Sequence, residues 1–114
     1  MGVAEQLQVG VRHEPDRVIV ALVGELDMAS APLLQSAIES AELESATLVV
    51  LDLHGLQFID STGLRVILAV RKRSVERGQE LAVTRGSQQV ERLLAVTGVG
   101  DHLRTLETAE QPID

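Results

Sequence analysis

Two adjacent hydroxyls, Ser61 and Thr62, follow an acid, Asp60, and precede a glycine, Gly63, where an apolar run gives way to a helical pattern. The chemistry open to such a group is that of a phosphate acceptor. The first turn of a helix carries backbone N–H groups without intrahelical partners and about half a positive charge, so a phosphate added there meets ready donors. The competing reading is structural: Asp60, Ser61 or Thr62 is a helix cap and nothing more. Spacing alone favours the cap.

Other chemistries find less support. Asp52 follows the apolar run Leu48 to Leu51, as the phosphoacceptor of a receiver domain would. That domain also needs an acidic pair after its first strand to hold Mg²⁺. Val9 to Arg12 contains none, so Asp52 reads as a strand-end or loop-capping residue. His13, His54 and His102 lack helical metal spacing and read as surface or satisfied histidines. No Gly-x-Ser-x-Gly elbow surrounds Ser61, and no phosphate-cradling glycine loop is present. The expectation is a protein that is not an enzyme and holds neither cofactor nor metal.

Composition narrows the partners. A formal net charge of −7 repels phosphate backbones and anionic headgroups. Phe58 is the sole aromatic, so no stacking platform for bases exists. Cysteine is absent, which removes disulfides, thiol nucleophiles and cysteine metal sites. Met1 to Arg12 has neither the basic start nor the apolar run of a signal peptide, and no apolar stretch approaches ~18 residues. These features predict a cytoplasmic protein with no nucleic-acid partner and no membrane insertion.

The elements that must position the hydroxyls can be read in order. The 114 residues suit one domain, 1–114, with its core at about 7–106 and a short, frayed tail at 107–114. Leu7, Val9 and Val11 alternate with polar residues as an edge strand, and the turn Glu14-Pro15-Asp16 leads into a second strand at Val18 to Val23. Ser30 and Pro32 start a helix whose Leu33, Leu34, Ala37, Ile38 and Ala41 share a buried face. Leu48 to Leu51 has the character of a central strand. The next helix is expected from about Leu64 to Arg77, stopping at Gly78.

Along that helix Leu64, Ile67, Leu68 and Val75 are expected inward. Val66 and Val70 stand on the opposite side as a candidate partner surface, and Arg65, Lys72 and Arg73 make the outer side basic within an acidic chain. Arg71 is expected to reach from the inward side toward an edge. Glu80 to Thr84 forms a strand, Ser87 caps a third helix with Val90, Leu93 and Leu94 inward, and Leu103 to Leu106 is a last weak strand. The order β-β-α-β-α-β-α-β predicts an α/β fold with a mixed four- to five-stranded sheet, parallel after an opening hairpin.

Three blocks carry a family resemblance: Asp60-Ser61-Thr62-Gly63-Leu64, Gly24-Glu25-Leu26-Asp27, and Leu93-Leu94-Ala95-Val96-Thr97-Gly98-Val99. With Gly24 to Asp27 first along the chain, Asp60 to Leu64 second and Leu93 to Val99 last, the chain from about Leu7 to Leu106 resembles the sulphate transporter and anti-sigma factor antagonist (STAS) family, in particular its bacterial anti-sigma factor antagonists. The resemblance implies phosphorylation of Ser61 by an anti-sigma factor with serine kinase activity, with Thr62 as a lesser acceptor, and reversal by a serine phosphatase. It implies that Asp60 shapes the acceptor loop and that Gly63 permits close approach of the partner and the tight entry into the helix. Glu25 and Asp27 become contact residues on a neighbouring loop. A rival within the family is an accessory or scaffold subunit of a phospholipid transporter or stress-sensing complex. Position 65 is often small in relatives, so Arg65 would narrow the choice of kinase.

Overall fold

A computed structural model describes residues 6–41 and 43–113; residues 1–5, 42 and 114 of the expected domain lie outside the described residues. Five strands form one sheet in the order β1-β2-β3-β4-β5. They are β1 at Leu7–His13, β2 at Val18–Leu26, β3 at Leu48–Ile59, β4 at Glu80–Thr84 and β5 at Arg104–Leu106. The opening pair is antiparallel, and its turn closes with Glu14 N–H donating to the Arg17 carbonyl at 2.8 Å. The remaining pairings are parallel, so they require crossovers. Helices α1 (Ala31–Ser40), α2 (Ser61–Glu76) and α3 (Gln88–Thr97) supply them. The expected class, hairpin and element order are all present.

Strand β3 is much longer than the apolar run that announces it. It continues for 12 residues to Ile59, with register shifts against β2 between Ala21 and Val23 and between Gly24 and Glu25. These irregularities let Leu53, Leu56 and Ile59 stay fully buried although Asp52, His54 and Gln57 interrupt the hydrophobic pattern. Asp52 is therefore a mid-strand residue and not a strand end. Its Oδ1 accepts from Thr84 Oγ1 at 2.8 Å and from His54 N–H at 3.2 Å.

All three helices share one face of the sheet. Leu34 and Ile38 of α1, Ile67 of α2 and Leu94 of α3 close over Leu22 and Leu51 in a single aliphatic cluster. Each fully buried side chain of this size contributes about 1.5–3 kcal/mol, which is how a core without buried aromatics holds. The burial within α2 corrects the expectation. Val66 and Val70 are buried at 5% and 4% exposure, while Leu68 and Val75 are exposed at 39% and 63%. The centre of the buried arc lies along Gly63, Ile67, Val70 and Ser74, because α2 packs against α1 on one flank as well as against the sheet. Leu33 of α1, expected inward, is also exposed, leaving Ala31, Leu34 and Ile38 as that helix's buried line.

The opposite face is covered by the chain's end. Ala109 is buried and Ile113 packs against a second cluster of Ile19, Leu48, Val50, Ala82 and Leu106. The expected frayed tail is thus a docked segment. Arg17, only 6% exposed, donates from Nη1 to the carbonyls of Ala109 at 2.9 Å and Gln111 at 2.8 Å. Its other nitrogens meet the Asp16 carboxylate at 2.9 and 3.1 Å, and Arg12 pairs with Glu110. Hydrogen bonds from these arginines hold the Asp16 and Glu110 carboxyls below the usual carboxylate range and raise both guanidiniums. Low hydrophobicity made the tail look loose; a buried cation seeking carbonyl acceptors is what anchors it.

Candidate functional site

The hydroxyls sit where β2 and β3 end side by side. Leu26 and Ile59 are register partners at the carboxyl ends of these parallel strands, and each strand leads directly into a helix. Loops at this end of a parallel sheet commonly carry function. Two short connections, Asp27 to Ser30 and Asp60, therefore lie against each other. Asp60 joins them: its N–H donates to the Leu26 carbonyl at 3.2 Å, and its Oδ2 accepts from Met28 N–H at 3.2 Å.

Asp60 is also the N-cap of α2. Its Oδ1 accepts from Gly63 N–H at 2.9 Å, and its extended backbone ends the strand. The helix consequently begins at Ser61, three residues before the expected start, and neither hydroxyl is needed as the cap. Ser61 occupies the first helical position and is exposed; Thr62 is half-buried beside Arg65 and Val66.

Gly63 fits the tight entry into the helix that the resemblance implies. A Cβ there would lie 2.7 Å from the Leu26 carbonyl oxygen, 2.8 Å from Leu26 Cγ and 2.9 Å from Ile59 Cγ1. The close approach is internal, between α2 and the strand ends, and Gly63 is buried. It sets how deeply the turn carrying Ser61 and Thr62 sits against the strand ends.

The neighbouring loop is organised by Asp27. Oδ1 accepts from Ala29 N–H and Ser30 N–H, each at 3.1 Å, and Oδ2 accepts from Gln6 Nε2 at 3.2 Å. Ser30, expected as a cap, instead donates its hydroxyl to the Glu25 carbonyl at 2.8 Å and accepts from Asp27 N–H at 3.0 Å. Glu25 is exposed and pairs in register with Phe58, itself exposed. The structure thus brings Glu25, Asp27, Asp60, Ser61, Thr62 and Arg65 to one end of the molecule. Val66 and Val70 instead lie in the crease between α1 and α2, where Gln35 lines the wall.

Exposed apolar side chains lie at places the periodicity did not mark. Met28 on the neighbouring loop, Leu33 on α1 and Leu68 on α2 replace the expected valine pair as accessible apolar surface. Met28 could have been found from its position between two turn-forming residues, Asp27 and Ser30. His13 proves to be a satisfied side chain, its Nε2 donating to the Ala41 carbonyl at 2.9 Å. The side chain of His102 lies outside the described residues. Among the described residues, no helix is long and apolar enough to cross a membrane.

Comparison with known proteins adds to this geometry. An anti-sigma F factor antagonist of Paenibacillus polymyxa is 36% identical over 94 residues, covering 82% of this chain and 80% of the relative. An anti-sigma factor antagonist from Mycobacterium paratuberculosis superposes with a TM-score of 0.83 at 23% identity, over 96% of this chain and 93% of that one. The anti-sigma factor antagonist SpoIIAA, a Bacillus cell fate determinant, has the same fold in its unphosphorylated form, with a TM-score of 0.71 at 20% identity over 88% of this chain and 87% of its own. Residues 8–111 match the STAS domain, so the chain belongs to the STAS domain family.

Proposed function

We propose that this chain is an anti-sigma factor antagonist switched by phosphorylation of Ser61. The observation that carries the reading is the division of labour at the start of α2. Asp60 performs the capping, which leaves the Ser61 hydroxyl exposed at the first helical position and free for transfer chemistry. The P. polymyxa relative, named as an anti-sigma F factor antagonist, supports the antagonist part of this reading.

In this reading the unphosphorylated chain binds an anti-sigma factor that is also a serine kinase, through Ser61 and the exposed Met28, Leu33 and Leu68. The sigma factor is released in the cytoplasm. The kinase then acts on its bound antagonist: Ser61 Oγ attacks the γ-phosphorus of ATP held by the kinase, the Oγ–P bond forms, ADP leaves, and the hydroxyl proton passes to a base of the kinase. The added phosphate carries nearly two negative charges beside Asp60. Charge mismatch of this kind in an interface costs about 2–5 kcal/mol, roughly 30- to 4,000-fold in affinity. A serine phosphatase restores binding.

Affinity capture from the native cell with wild type, Ser61→Ala and Ser61→Asp as baits tests this. The expected result is an ATPase-type anti-sigma factor with the first two baits only, and a phosphorylated Ser61 peptide from wild type. Transporter subunits recovered equally with all three baits would overturn it in favour of an accessory subunit.

A further inference from the structure

Ser61, Arg65, Leu68 and Lys72 recur at one-turn intervals along the outer side of α2, and all four are exposed. Four residues of helix place Arg65 about 40° round and ~6 Å along from Ser61. Helical side chains tilt toward the N-terminus, and Arg65 shares a crease with Thr62 and Met28, so a guanidinium folded back by one turn comes within range of Ser61. Elsewhere Arg12, Arg17, Arg85 and Arg104 each have a carboxylate partner: Glu110, Asp16, Glu107 and Glu80. Arg65 has no ion pair among the described residues.

The start of α2 cannot serve a phosphate fully by itself. Gly63 N–H is already taken by Asp60 Oδ1, and the Asp60 carboxylate stands next to the site where a dianion would form. A countercharge must come from a side chain, and Arg65 is the cation four residues on.

We propose that Arg65 is an intramolecular clamp for the Ser61 phosphate, folding back one turn to pair with it once the transfer has occurred. This rests on the reading of Ser61 as the modified residue. Before phosphorylation Arg65 is available to an acidic group on the partner; afterwards the phosphate occupies it. Phosphorylation thus changes the docking face twice, by adding negative charge and by withdrawing a cation from the ridge that carries Leu68 and Lys72. Arg65 acts as a positioning residue for the phosphate, with no part in the transfer itself.

The test uses the full chain with phosphoserine installed at position 61 during translation, so it does not depend on finding the kinase. Phosphorylated and unphosphorylated proteins are compared with Arg65, Arg65→Gln and Arg65→Lys. By ³¹P NMR titration, the second phosphate ionisation is expected about 0.5 unit lower with Arg65 than with Gln, with Lys between them. The carboxylates of Asp60, Asp27 and Glu25 raise that ionisation in every variant, so the difference isolates position 65. The penalty of phosphorylation on the thermal midpoint is expected to be about 2–4 °C smaller with Arg65 than with Gln. Identical ³¹P titrations for Arg65 and Gln would overturn the clamp and leave the assignment of Ser61 intact. Absence of a Ser61 phosphopeptide from native cells would count against that assignment alone.

Discussion

The sheet is covered on its two faces by different physics. On one, three helices lay aliphatic side chains over Leu22 and Leu51, and burial of apolar area does the holding. On the other, a short terminal segment lies over Ile19, Val50 and Ala82, held through its own backbone carbonyls by the buried Arg17. The first arrangement is non-directional and redundant. The second adds to the apolar contacts of Ala109 and Ile113 a set of directional bonds centred on one buried guanidinium. Loss of a contact should therefore spread across the first face and stay local on the second.

The largest effect is expected on the helix face. Ile67, fully buried between α2 and the sheet, should cost about 2–5 kcal/mol on substitution by Ala, read as a lower denaturant midpoint with an unchanged slope. Arg17→Ala leaves the Ala109 and Gln111 carbonyls without their donor and should cost about 1–3 kcal/mol. Hydrogen exchange sharpens the contrast: amides of 108–113 should lose protection while those of α2 and α3 keep theirs. Equal loss in the helices would show the two faces to be one cooperative unit and break the comparison.

Smaller effects separate the end that carries Asp60 and Ser61 from both faces. Asp60→Ala removes the cap of α2 and its bond to Met28 N–H, and should cost about 1 kcal/mol in a urea titration; Asp60→Asn should recover most of it. The smallest effect concerns pH. Asp16 and Glu110 have depressed folded-state ionisations, so their contribution is complete above about pH 4, the ordinary carboxylate range, and is lost as pH falls through their lower folded values. Chemical shifts of Ala109 and Ile113 should move in that acidic window, and Glu110→Gln should reduce the movement. Unaltered tail shifts at pH 3 would mean that Arg17 holds the carbonyls without help from either carboxylate.

Much of the fold was legible because local patterns agreed with it. The alternation of Leu7, Val9 and Val11, the Ser87 cap and the Gly98 stop each appear where the chain demands them. Gly98, at φ 76°, adopts the left-handed conformation that ends α3, a property of the residue type itself. Long β3 was not legible, since Asp52, His54 and Gln57 break its pattern and only pairing with β2 continues the strand. The inward side of α2 was misplaced by part of a turn, because a helix wedged between a sheet and another helix buries a wider arc than one periodic stripe reveals.

For the site, the same division holds. Residue types and spacing marked Asp60 to Gly63 as a helix entrance with candidate caps, because cap-forming side chains act through the backbone beside them, whereas the acceptor role rests on the family resemblance. Which of them caps was decided by tertiary structure. The cap bond to Gly63 is local, but Asp60 also reaches Met28 because two parallel strands end side by side, and Ser61 is left facing solvent. Docking of the tail was likewise a tertiary outcome: Arg17 and Ala109 are 92 residues apart, and no local pattern joins a buried cation to carbonyls at that distance along the chain.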